Sequence, residues 1–293
     1  MSSHATSRSG VKFPATPGIT HGVSPTPPGG AKILQSGGRG GTGNILYVFP
    51  NEQPPLVLKV FRPRRSRFRE FLKNFSERVL EGKRGATAAI RCATEKLNLE
   101  LWTREGFEVV KPVARALPAG LMLPALWLLH CDAPLLWEVL ADFTRSLETR
   151  LPLVELLGLS LSSRHTRAVE LQEPLLIHEH GHIKHFFIRE GRLVAFDLEH
   201  GFKPGYPVVK AVARELAGIT TSLARADAAA ADAFLRVFVT SYVNKPLLKL
   251  AVREALHGGG LIGRLRRWHE RRHALARSKT CIMQQVAALL EVG

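Results

Sequence analysis

The period of hydrophobic and polar positions changes partway along the chain. From Lys32 to Val60, short runs rich in β-branched and aromatic residues (ILYVF, LVLKVF) are bounded by the glycine-dense SGGRGGTGN and by NEQPP. That pattern predicts antiparallel strands joined by turns. Residues 87–104 have Ala- and Leu-rich helical character, with Gly106 as the stop. VVKPVARAL and GLMLPALWLL then predict two further strands. Beyond Asp132 the pattern lengthens, and helices are expected over 135–158, 207–225, 228–256 and 261–291. Between the first two lies HFFIREGRLVAFDLE, a strand pair turned at Glu190-Gly191. A small β-rich part followed by a mostly helical one is an α+β, two-lobed plan. It divides the chain into a tail (1–30), a first lobe (31–131) and a helical lobe (132–293).

Composition narrows the partners. The 293 residues are 45% hydrophobic and 23% charged, a globular balance. Lys and Arg outnumber Asp and Glu by 41 to 25, a net charge of +16, which points to an anionic partner such as a nucleotide, an acidic substrate or a membrane surface. Three cysteines (Cys92, Cys131, Cys281) make no disulfide framework, so a reducing, cytoplasmic setting is expected. Residues 1–30 are rich in Ser, Thr, Pro and Gly without an apolar export core, and read as a disordered tail. Ala116 to Leu136 lacks Lys and Arg, but Pro118, Pro124 and Pro134 would break a membrane helix repeatedly.

Two segments concentrate the charge. Residues 62–84 carry nine Lys or Arg against Glu70, Glu77 and Glu81. In Leu261 to Arg277, Leu261, Leu265, Trp268 and Leu275 fall on one helical face, with Arg264, Arg267, Arg271 and Arg277 elsewhere. This reads either as a packed helix with a solvated face or as a basic surface resting on anionic lipid at the inner membrane face. No nucleic-acid motif accompanies the charge.

The candidate chemistry lies in two places. Gly38-x-Gly40-x-x-Gly43 precedes a strand rather than a helix, so it joins antiparallel strands and can lay backbone N–H groups over phosphates. Lys59, flanked by Leu58 and Val60, points away from both, either into water at a sheet edge or into a site. The second place is Ile177-His178-Glu179-His180-Gly181-His182-Ile183-Lys184-His185, followed by the hairpin ending Phe196-Asp197-Leu198-Glu199. The order of glycine hairpin, strand lysine, acidic helix, connector, helices, histidine loop and hairpin-closing aspartate resembles the protein-kinase-like superfamily, including its lipopolysaccharide- and aminoglycoside-kinase-like branches. The resemblance covers about residues 31–220.

The resemblance implies ATP and a divalent metal, Mg or Mn, between the lobes. Gly38, Gly40 and Gly43 would cover the phosphates, and Lys59 would hold them, paired to Glu95 or Glu100, of which Glu95 is preferred. Leu129 to Asp132, with Leu129 and Cys131 foremost, would meet the adenine. His178 matches the leading His of the catalytic loop, His180 falls on the catalytic Asp, His185 on the metal-binding Asn, and Asp197 on the metal-binding Asp. The family's Asp and Asn are thus both histidine here. Three readings follow: an atypical kinase acting on a hydroxyl acceptor such as a glycolipid sugar or a protein, one with altered metal preference, or a nucleotide-binding pseudokinase. A rival reading takes His178-Glu179-x-x-His182 as the zinc motif of a zincin-like metalloprotease. His178 and His182 would be the ligands, Glu179 the base, and Glu199, His200 or Glu215 the third ligand.

Overall fold

The computed structural model describes residues 30–38, 42–63, 82–85, 87–258 and 278–292. Strands β1 (Lys32–Gly38), β2 (Thr42–Phe49), β3 (Leu56–Val60) and β4 (Ala125–Leu129) form one antiparallel sheet in that order. Every residue of β3 is buried, so both faces of this inner strand are covered. Alternation then sorts its side chains. Leu56, Leu58 and Val60 join Ile45, Tyr47, Phe49 and Trp127 in an apolar cluster on one face. Val57 faces the main core on the other side, and Lys59 shares its parity. The lysine is therefore carried inward and is only 5% exposed.

Helix α1 (Ala88–Arg104) packs on that inner face. Thr87 caps it by accepting the Ile90 N–H at 3.3 Å, and Gly106, at φ 83°, turns the chain away after its end. Its buried face carries Arg91, Glu95, Asn98 and Trp102, spaced as one helical stripe. A buried stripe with three polar members needs polar partners, and these define the site below.

Only one of the two expected strands after α1 forms. Pro112 removes a backbone donor in VVKPVARAL, which makes isolated bridges, Val109 with Ala195 and Pro112 with Leu128. Pro124 likewise confines GLMLPALWLL to β4, the carbonyl of Pro124 accepting the Phe61 N–H at 2.9 Å.

The helix expected over 135–158 is two helices, α2 (Leu136–Leu140) and α3 (Leu147–Leu171). Asp142 interrupts it by accepting the Thr144 N–H at 3.0 Å in a turn, and Ser146 then caps α3. After α3 come the hairpin strands β5 (Phe186–Arg189) and β6 (Arg192–Ala195). Their connection is the expected one, with Glu190 at φ 51° and Gly191 at φ 70°, both left-handed as a tight hairpin requires.

Helices α4 (Val208–Ala226), α5 (Ala231–Ser241), α6 (Lys245–His257) and α7 (Lys279–Val292) complete the described residues. The helix expected over 228–256 breaks at Tyr242–Asn244, where Asn244 caps α6. α4 is the centre of the helical core, with Ala211, Val212, Leu216, Ile219 and Leu223 fully buried. The tail over 1–29, Gly40, the basic run over 64–81 and the basic segment 261–277 lie outside the described residues. Among the described residues no helix is long and apolar enough to cross a membrane.

Candidate functional site

The inward face of β3, the polar stripe of α1 and the chain leaving β6 meet at one point. Lys59 Nζ lies 2.6 Å from Glu95 Oε2, donates to Asp197 Oδ1 at 2.7 Å, and stands 3.5 Å from Glu199 Oε2. Glu95, not Glu100, is thus the helix partner; Glu100 is exposed beside Lys96. Asp197 has φ 62°, a left-handed conformation that costs a non-glycine residue on the order of 1 kcal/mol or more. Its neighbours hold it there. The His178 ring bonds the Phe196 carbonyl through Nε2 at 3.2 Å, and Asn98 Nδ2 donates to the Leu198 carbonyl at 2.8 Å. Arg91 donates to both oxygens of Glu199 at 3.1 Å, to Asn44 Oδ1 at 2.7 Å and to the Arg62 carbonyl at 2.5 Å. The Asn44 amide in turn donates to Glu199. Asn44 follows Gly43, so the glycine hairpin is tied to the strand-end carboxylates.

Three carboxylates share two cations, and the shifts follow from that imbalance. Burial works against the charge of Lys59, but Asp197, then Glu95 and Glu199, outweigh it and hold the amine well above its usual range. Burial drives Glu95 up, against the pull of Lys59 and with the push of the other two carboxylates, to about 7. For Asp197 burial pushes up, yet the Lys59 amine wins and holds it below the carboxylate range. Glu199 is held low despite burial by Lys59, His200 and Arg91.

The donors around Asp197 fit a divalent metal. Oxygens of Glu95, Asp197 and Glu199 lie within 4.8 Å of one another. Asp197 alone of the three reaches solvent, with its side chain 36% exposed. His185 Nδ1 lies 3.6 Å from Asp197 Oδ2 and is buried without a hydrogen bond. Burial first, then the neighbouring His178, lowers His185 to about 2, so the ring is neutral and offers a lone pair. Carboxylate oxygens beside an imidazole favour Mn²⁺ over Mg²⁺.

The histidine loop does not form the helix that the zinc motif requires; residues 178–182 are turn and extended chain. The reason is steric. A Cβ on Gly181 would lie 2.5 Å from the Glu215 carbonyl oxygen, so the loop presses its backbone onto α4, where Gly218 meets the Gly181 carbonyl. His178 and His182 consequently share no helical face. His178 is buried against Trp102 and holds Phe196, while His182 packs on Trp137 with ring centroids 5.3 Å apart. Glu215 is no ligand either, because Arg164 donates to both its oxygens and His165 and the His178 N–H reach it too.

His180 stands beside Glu179. Its half-exposed ring places Nδ1 2.5 Å from Glu179 Oε2, and Lys83 reaches Glu179 Oε1 at 2.7 Å. His200 connects this group with the lysine cluster, its ring centroid 4.5 Å from that of His180 and its Nε2 3.4 Å from Glu199 Oε1. At the other end of the sheet, the Leu129 N–H donates to the Lys111 carbonyl and the His130 N–H to the Pro55 carbonyl, both at 2.9 Å. Those two donors are committed within the protein, so an adenine contact at Leu129 could not use its N–H. Gly38 and Gly43 flank the end of the β1–β2 hairpin.

Sequence reasoning missed Arg91, Asn44 and Lys83, and named Glu199 and His200 only as candidates for a third zinc ligand. Arg91 had a local signal, lying one helical turn before Glu95. Lys83 had none, lying in a run read as surface charge. The chain matches no protein-family model and no curated protein, and the geometry of these side chains is what bears on its chemistry.

Proposed function

We propose that the chain is an atypical phosphotransferase of protein-kinase-like architecture, moving the γ-phosphate of ATP to a hydroxyl. The sheet with α1 is the first lobe and α2 to α7 with the β5–β6 hairpin the second. The observation that carries the reading is the meeting of Lys59, Glu95 and Asp197, drawn from a strand, a helix and a hairpin end up to 138 residues apart in sequence. Phosphoryl transfer asks mostly for positioning and charge neutralisation, and this cluster supplies both.

Lys59 holds the α/β-phosphates, and Glu95 keeps its amine aimed. The Gly38–Gly43 turn covers the phosphates, and the backbone at Cys131 meets the adenine. Asp197 and His185 hold the divalent ion, which when bound offsets charge on the phosphate oxygens. In the histidine loop, Glu179 is a carboxylate: burial pushes it up, but His180 and Lys83 hold it below its usual range. Its Oε2 faces His180 Nδ1 at 2.5 Å; as acceptor of an Nδ1–H it would fix the tautomer and leave the Nε2 lone pair for the acceptor's proton. The acceptor oxygen bonds to the γ-phosphorus, the bridging bond to the β-phosphate breaks, and ADP leaves. With a net charge of +16, an anionic acceptor such as the sugar of a membrane glycolipid is the class that fits.

The histidines at positions 180 and 185 favour a second reading, a pseudokinase that binds nucleotide without turnover. One set of measurements separates them. ATP with Mn²⁺ should raise the melting temperature, and Lys59→Ala or Asp197→Ala should weaken that binding at least tenfold. ADP release with acidic glycolipid supplied as acceptor marks the kinase, and binding without ADP release marks the pseudokinase. A wild-type protein that does not bind ATP overturns both.

A further inference from the structure

We propose that Glu179, His180 and His200 form a transition-metal site separate from Asp197, of a kind that takes Zn²⁺. A carboxylate oxygen and two imidazole nitrogens lie within 4.8 Å of one another there. That is a two-histidine, one-carboxylate donor set with room for a further ligand. The three come from two segments that the fold forces together. The loop of His180 is pressed onto α4 at Gly181, and His200 follows a strand end that Asn98 pins through the Leu198 carbonyl.

The details favour a metal over a surface cluster. Glu179 and His200 are largely buried, with side chains 5% and 7% exposed, so two of the three donors are rigidly held. Lys83 engages Oε1 of Glu179 and leaves Oε2 turned to His180. Glu199 stands 3.4 Å from His200 Nε2, a second carboxylate beside the imidazole. In a tetrahedral zinc site with bonds near 2.1 Å, donor atoms lie about 3.4 Å apart. The 2.5 Å contact of His180 with Glu179 must therefore open when the ion enters. Only the half-exposed His180 has to move for that.

This site stands whether or not the chain transfers phosphate, so its test uses binding alone. Metal-free full-length protein is titrated with Zn²⁺ against a chromogenic chelator, and with Co²⁺ followed by its visible absorption. One equivalent of Zn²⁺ should bind, Co²⁺ should give the intense bands of a four-coordinate nitrogen–oxygen site, and His180→Gln and His200→Gln should each weaken Zn²⁺ at least tenfold. His180→Gln changes an exposed ring, so its fold is expected to persist and its melting temperature checks this. His178→Gln and His182→Gln should leave Zn²⁺ affinity within about twofold if they fold. Zn²⁺ affinity unchanged in folded His180→Gln overturns the proposal, as does a wild-type protein that takes up no Zn²⁺.

Discussion

Glu95 offers the most direct test of the electrostatics of the lysine cluster. Its carboxyl is 1% exposed and climbs from 4.5 to about 7, since burial and two neighbouring carboxylates outweigh its contact with Lys59. Between those pH values the folded protein holds a proton that the unfolded chain has released, so stability falls as pH rises through the window. At 1.36 kcal/mol per pH unit, the fall attributable to Glu95 is about 3 kcal/mol, complete near pH 7. The total profile mixes this with other groups. His185, lowered to about 2, and His182, lowered to about 4, gain stability as pH rises toward their unfolded value near 6.5. Glu95→Gln isolates the term, because amide and carboxyl have the same shape and only one titrates. Urea unfolding of both proteins at pH 4.5, 6 and 8 is the assay. Relative to wild type, the variant should gain about 3 kcal/mol between pH 4.5 and pH 8. A difference that does not change with pH would refute the reasoning, since it would mean that Lys59 keeps Glu95 ionised throughout.

Other consequences follow from the same contacts. Gly218→Ala would put a methyl 2.1 Å from the Gly181 carbonyl oxygen and should cost about 1–3 kcal/mol in chemical unfolding, with nucleotide binding weakened because the histidine loop must shift. Arg164→Met leaves the fully buried Glu215 with its guanidinium removed and should destabilise by about 3–5 kcal/mol at pH 7, less in acid where Glu215 takes a proton. Zn²⁺ at one equivalent should stop ADP release by occupying His180, and a zinc-selective chelator with Mn²⁺ kept in excess should restore it; unchanged turnover at saturating Zn²⁺ would show that His180 is not both ligand and base.

Much of the fold was legible because its signals are local. The β5–β6 hairpin came from Glu190-Gly191 between strand-like runs, and α1 from its Ala- and Leu-rich positions and a Gly stop. Boundaries failed where a capping side chain beat apolar periodicity, as at Asp142 and Asn244. The site was half legible. Lys59, Glu95, Asp197 and His185 could be named because an ordered series of motifs lines them up, whereas Arg91 and Lys83 look on paper like ordinary surface charges. Lys and Arg are almost always exposed, and only their carboxylate partners reverse that expectation. The zinc motif shows the opposite error. His178 and His182 have the right spacing for one helical face, but Gly181 is small so that the loop can touch α4, not so that it can turn as a helix.

Alternation in β3 by itself fixed that Lys59 points opposite to Leu58 and Val60, because a strand has only two faces. Which of those faces was buried, and among which charges, was decided by the packing of α1 and the 196–200 segment against the sheet. Distances between a strand, a helix and a hairpin end depend on how the apolar faces stack, and no spacing along the chain encodes them. The same holds for His180 and His200, twenty residues apart and brought ring to ring only because a glycine lets one loop lie flat on a helix.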